Sequence, residues 1–436
     1  MKKGVVALLI ILALVVIVSP GILGRLAEKS VDENLNWAAA ESGDLVISSD
    51  KFDRSWFSSE GRHRVEIKEG NLQAMLQELG SPGDELPVLL INTHLDHGLI
   101  PVSSMSRENG SLAPGLGSAV STLSVEFSDG KTIELPGKIY SNVTLRGELE
   151  SSYELEAGSR SDGRTKAAWG TSKVGVTTNP SSGDVKFAGN IRDVSFTDQS
   201  ESVEINGLTF SGSQAPTKFG FATGDIKMEV DGVSVSTNGV QAGGLRRMSV
   251  DGHTRLDNGR VNGQTILNVE LSALPTFGEV SVAGDISVEG ADAESLGKLI
   301  RKMETLGPTP DEALVYAAVE GDLKRLLASG LELRFDQLDV ILPMGSVTTA
   351  MKIKVLEKDA STFDWSSLLL ATEASANISV PEALVDMALQ MNPQAGEAVS
   401  MGLLQKNGDV YEVNAEYKKA LLTINGQPMP IPLGAL

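Results

Sequence analysis

Ile226-Lys-Met-Glu-Val-Asp-Gly232 decides how this chain is expected to fold. Apolar residues at 226, 228 and 230 alternate with charged ones at 227 and 229, the period of a strand with one apolar face. Asp-Gly then supplies a residue pair that tolerates the positive φ of a tight hairpin turn. The same punctuation recurs on both sides, at Asp129-Gly130, Asp162-Gly163, Asn206-Gly207, Asn238-Gly239, Asp251-Gly252, Asn258-Gly259 and Asn262-Gly263. Alternation is also visible in Leu123-Ser-Val-Glu-Phe127, Val143-Thr-Leu-Arg-Gly-Glu-Leu149 and Val280-Ser-Val282. Turns at strand-plus-turn intervals predict an antiparallel meander over 44–289, not β-α-β units. No fixed repeat of 20–50 residues is evident.

Downstream, the period changes. Ala293, Leu296, Leu299, Ile300, Met303 and Leu306 form an amphipathic stripe on a helix over 292–306, broken by Pro308 and Pro310. Thr309-Pro310-Asp311-Glu312 reads as the start of a second helix, ending near Ser329 before Gly330. This helical pair occupies 290–330. From 331 to 436 strands are expected again, including Leu331-Glu-Leu-Arg-Phe335, 340–342, 348–356, 410–417, 420–424 and a terminal hairpin at Asn425-Gly426. Pro381 starts one short helix there. Upstream, strands are expected at 44–48, 63–67 and 88–91, and a short helix at 71–79.

The first residues set the compartment. Met1-Lys2-Lys3 precedes an apolar run from Gly4 to Val18, continuing to Leu23, close to the ~20 residues that span a bilayer. A signal peptide would need a small-residue cleavage site. None follows Val18, and Pro20 and Leu23 stand where small residues are expected. Residues 1–23 therefore read as an uncleaved signal-anchor, with a cleaved signal as the alternative, and 24–43 as a juxtamembrane helix. Lys2 and Lys3 place the N-terminus in the cytoplasm and the bulk of the chain in the periplasm of a Gram-negative cell. The 436 residues carry a formal charge of −20 and no cysteine. Such a surface repels nucleic acid. Stability has to come from buried apolar area, not disulfides.

Few residues invite chemistry. His94-Leu-Asp-His97 gathers three candidate ligands or acid-base groups within four positions. On a strand, however, 94 and 96 face one way and 97 the other. The expected role of Asp96, His97 and Gly98 is structural, shaping a turn at the end of a buried strand. Arg54-Ser-Trp-Phe-Ser-Ser59, with Arg54 and Phe57, reads as a strand-edge packing anchor. Ser48-x-x-Lys51 and Ser295-x-x-Lys298 match S-x-x-K, but without S-D-N or K-T-G. No P-loop, G-x-G-x-x-G or H-E-x-x-H occurs. No catalytic, metal or cofactor site is expected.

Several segments together resemble the YdgA family of bacterial envelope proteins. They are the basic, apolar N-terminus; Phe52-Asp-Arg-Ser-Trp-Phe-Ser-Ser59; Val88-Leu-Leu-Ile-Asn-Thr-His-Leu-Asp-His-Gly98; Ile378-Ser-Val-Pro-Glu382; and Leu422-Thr-Ile-Asn-Gly-Gln427. Where other members commonly place Pro directly after the Asp-His-Gly, this chain has Leu99-Ile100-Pro101. The resemblance spans nearly the whole chain. It implies an inner-membrane, periplasmic, mostly β protein, and brings no activity, cofactor or catalytic residue. The resulting expectation is a mainly β (α+β) fold: one transmembrane helix, then an elongated antiparallel meander, sheet or groove carrying short helices. Its expected role is non-enzymatic binding or scaffolding at the inner membrane, with lipid in an apolar β-groove. A protein–protein adaptor for an envelope complex, and more distantly a metal-dependent hydrolase using 94–97, are the alternatives.

Overall fold

The computed structural model describes residues 45–54, 58–67, 86–97, 115–127, 130–161, 165–179, 181–198, 200–274, 278–305, 312–391 and 395–429. The expected anchor, juxtamembrane helix and 71–79 helix lie outside them. Among the described residues no helix is long and apolar enough to cross a membrane. The protein is mainly β, and the strands pair antiparallel. The chain divides into two compact units, one reaching Pro216 and taking in Thr237–Gly239, the other comprising Thr217–Ser236 and Val240 onward.

In the first unit the strands are β1 Leu45–Arg54, β2 Ser58–Ile67, β3 Val88–His97, β4 Gly115–Glu126, β5 Thr132–Thr144, β6 Leu149–Leu155, β7 Gly158–Ser161, β8 Thr165–Trp169, β9 Ser172–Thr178, β10 Val185–Asp198 and β11 Glu201–Pro216. From β1 to β6 each strand pairs with its predecessor. β9 then returns beside β6, and β10 pairs with β9 through one half and β8 through the other. Cross-strand partners share a face, so the register assembles the core directly. Val65, Leu89 and Val125 form one row, and His63, Ile91 and Leu123 the next. A third row runs Ser59, Leu95, Ala119, Ser141, Ser151, Val176, with every member buried. Small hydroxyls on this face satisfy one another: Thr93 with Ser121 at 2.8 Å and Ser151 with Ser141 at 3.2 Å.

The second unit holds β12 Ala222–Thr237, β13 Val240–Asp257, β14 Arg260–Leu274, β15 Gly278–Asp292, α1 Ala293–Thr305, α2 Glu312–Ala328, β16 Glu332–Leu342, β17 Gly345–Val355, α3 Trp365–Ala371, β18 Thr372–Pro381, α4 Glu382–Met391, α5 Ala395–Ser400, β19 Gln405–Asn407, β20 Val410–Lys418, β21 Leu421–Ile424 and β22 Gln427–Met429. β13 to β18 pair in chain order, β20 joins β18, and β21 and β22 complete the series. Asp292 caps α1, accepting from the Ser295 amide at 2.9 Å. α1 and α2 close one end of the sheet. Val261, Ala291, Ala293 and Leu326 are buried there, with Phe219, Phe221, Leu296 and Leu299 against them.

Several turn expectations fail instructively. Asn238, Asn258 and Asn425, each with its following Gly, do take positive φ at hairpins. Asn206-Gly207, Asp231-Gly232, Asp251-Gly252 and Asn262-Gly263 instead lie inside β11 to β14. Their glycines make room: a Cβ on Gly252 would stand 3.1 Å from Ile226 Cγ2, and one on Gly263 would stand 3.3 Å from the His253 carbonyl. Val143–Leu149, expected as one strand, is the end of β5, a hairpin turn over 145–148 and the start of β6. The Thr144 amide donates to the Glu148 carbonyl at 2.8 Å, and Gly147 sits at φ 77°. The segments 331–335 and 340–342 are one strand, β16, with a bulge between Phe335 and Val340. α3 and α5 had no sequence expectation.

Candidate functional site

The sequence motifs of the first unit converge on adjacent strands. Arg54 ends β1 opposite Ser59 of β2, and Ser59 lies opposite Leu95 of β3. Asp96 stands between Ser58 and Ser118 of its two neighbours. As expected from strand parity, His94 and Asp96 share the outer face. The His94 ring approaches Asp96 through Nε2 at 3.3 Å and Glu60 through Nδ1 at 3.8 Å. Asp96 is mostly covered, 18% exposed, and His94 half exposed. His97 lies opposite Gly117 on β4; its side chain, Gly98 and Phe57 lie outside what the structure describes. The His94 ring thus stands between a carboxylate of its own strand and one of β2. Among the described residues no group of three His, Cys, Asp or Glu side chains is arranged to hold a metal ion.

The second unit offers a different kind of surface. Following the register across the sheet, Val250, Leu267, Gly284 and Leu338 form one row, and Met248, Val269, Val282, Val340 and Val347 the next. Thr265, Ile286, Phe335, Met351 and Ala376 make a third on the same face. Gly284 is buried, the other residues of the rows keep part of their surface exposed, and Leu338 is 38% exposed. One residue out of phase, the opposite face carries Gln264, Ser287, Arg334, Lys352 and Glu416. Its charges neutralise one another. Arg334 reaches Glu289 at 2.9 Å, and Lys352 reaches Glu332 at 2.6 Å. The Lys352 hydrogen bond holds the Glu332 carboxyl below the usual range, against a smaller opposing effect of burial.

The helical end is fixed by a covered carboxylate. Asp322 of α2 has a side chain 2% exposed, contacted by Lys302 of α1 at 2.5 Å and Arg325 at 2.9 Å. The Lys302 hydrogen bond outweighs burial and holds Asp322 below the usual carboxylate range. Lys302 also donates to the Ala318 carbonyl at 2.7 Å, so one ammonium ties both helices. Beside them Trp365 of α3 donates to Glu320 at 3.0 Å, and Lys324 lies 5.5 Å from its ring centre. α3 also leans on the sheet, where the Tyr417 hydroxyl donates to the Leu369 carbonyl at 2.8 Å. The apolar face was legible as alternation in Leu331–Phe335. Asp322 and Lys302 carried no signal, since nothing local marks a carboxylate that another helix will cover.

Residues 1–432 match the family described as a bacterial protein of unknown function, DUF945. Protein YdgA of Escherichia coli (strain K12) is 22% identical over 491 residues, covering 99% of this chain and 95% of that protein. The resemblance read from the motifs is thereby borne out. No solved structure matches the chain.

Proposed function

We propose, from the premise that this chain belongs to the DUF945 family of bacterial proteins, that it acts by binding and not by catalysis, as an envelope protein that holds hydrocarbon on the open apolar face of its second unit. The observation that carries this reading is the continuous aliphatic surface across β13 to β17, whose side chains remain partly exposed. A sheet face of this kind ordinarily packs on a second layer. Contiguous exposed apolar area marks a binding surface in a soluble body. The apolar run from Gly4 to Val18 behind Lys2 and Lys3 supports tethering at the inner membrane with the body in the periplasm.

Two substitutions test the face. Leu338 and Ile341 both lie on β16 and are 38% and 48% exposed, but their partners place them on opposite faces. Leu338→Asn should lower the phospholipid that co-purifies with the full-length chain, counted by extraction and mass spectrometry, while Ile341→Asn leaves it unchanged. Equal retention in both, or no phospholipid in the parent protein, would count against the reading. For the tether, alkaline phosphatase fused after Leu436 should be active in intact cells and sediment with inner membrane.

A further inference from the structure

We infer that the open face recognises the acyl chain alone, with no selection for the headgroup attached to it. This inference rests on the binding role proposed above and goes further by naming what is recognised. The strip from Val282 to Ile286 of β15 is about 13 Å long at strand rise, and β13 to β17 span about 19 Å at strand spacing, giving roughly 250 Å². A stable protein–protein interface takes about 800 Å² from each partner. The strip is therefore small for a protein, and close in length to one leaflet's acyl chain, which covers about half of a ~30 Å hydrocarbon core.

Side-chain chemistry points the same way. Protein interfaces draw their energy from Trp, Tyr and Arg. The three open rows across β13–β17 contain none of these, and Phe335 is their single aromatic residue. They also contain no charged side chain. Arg334 and Lys352 face the other way and are engaged: Arg334 by Glu289 and Asp336, Lys352 by Glu332. A phosphate has nothing to bind on the strip, so it stays in water.

The test is titration calorimetry on the full-length chain with lysophospholipids and free fatty acids below their micellar concentrations. At constant chain length, phosphoethanolamine, phosphoglycerol and carboxylate headgroups should bind within about threefold of one another. Lengthening the chain should tighten binding about fourfold per methylene, the equivalent of ~0.8 kcal/mol. A tenfold preference for one headgroup, or affinity indifferent to chain length, would overturn the inference while leaving the binding role standing. Binding by no probe removes both. Leu338→Asn should weaken every probe alike; a variant that changes headgroup preference also refutes the inference.

Discussion

At the scale of residues, Asp322 and Gly137 show how much one position can decide. Asp322 is covered while its partners Lys302 and Arg325 remain about half exposed. Asp322→Asn leaves those cations solvated, so the expected cost is about 1–3 kcal/mol and not the larger penalty of an orphaned buried charge. Because the folded carboxyl titrates below its unfolded value, its contribution is complete above about pH 3.9 and is lost as pH falls through the lower folded value. The gap in urea midpoint between parent and variant should be full at pH 6 and shrink below pH 4. Gly137 sits at φ 94°, where a Cβ would lie 2.7 Å from the Glu154 carbonyl and 2.9 Å from the Tyr153 ring. Tyr153 donates to the Pro136 carbonyl at 2.5 Å, and burial pushes its phenol up to about 12. Gly137→Ala should therefore cost about 1–3 kcal/mol of stability, read by thermal unfolding. Neither role was visible in the sequence, because each depends on an atom supplied by another element, a helix for Asp322 and a strand for Gly137.

At the scale of elements, strand identity was legible and strand length was not. Alternation located β12, β15 and β17 because a sheet with one apolar face writes period two into its residues. Asn-Gly and Asp-Gly could not say whether they turn the chain or thread it under a neighbour. Asn258-Gly259 does the first; Asp251-Gly252 does the second, beneath Ile226. Face assignment can be checked on one strand. Val282 points to the apolar side with Val269 and Val340, and Ala283 to the polar side with Asn268 and Asp339. Val282→Ser should cost at least 1 kcal/mol more than Ala283→Ser in chemical denaturation. α3 escaped sequence reading because its start is a reciprocal cap. The Ser367 amide donates to Asp364 at 2.6 Å, and the Asp364 amide donates to the Ser367 hydroxyl at 2.9 Å. In Asp364→Ala, amide exchange at Ser367 and Leu368 should accelerate while strand amides of β17 and β18 stay protected.

At the scale of the whole molecule, each unit has its own buried cluster, Leu123 in the first and Val261 in the second. Leu123→Ala should cost about 2–5 kcal/mol, and its effect should add to that of Val261→Ala within about 0.5 kcal/mol. The mainly β architecture, the helical pair and the family were all readable from sequence. The division after Pro216 was not, since no linker-like composition marks it. The open face was half readable: alternation announces an apolar side, but only the structure shows that its central rows stay partly exposed while α1 and α2 cover one end. The order of pairing has a consequence in time. Because β13 to β15, and again β16 and β17, bond to the strand just made across a short turn, closing those contacts costs only a short loop. A chain emerging N-terminus first could therefore add these strands in the sequence in which they arrive. β18 with β20 must wait for the segment holding α4, α5 and β19, and β6 with β9 for the β7–β8 hairpin between them. That closure is the step at which assembly of the first unit would pause.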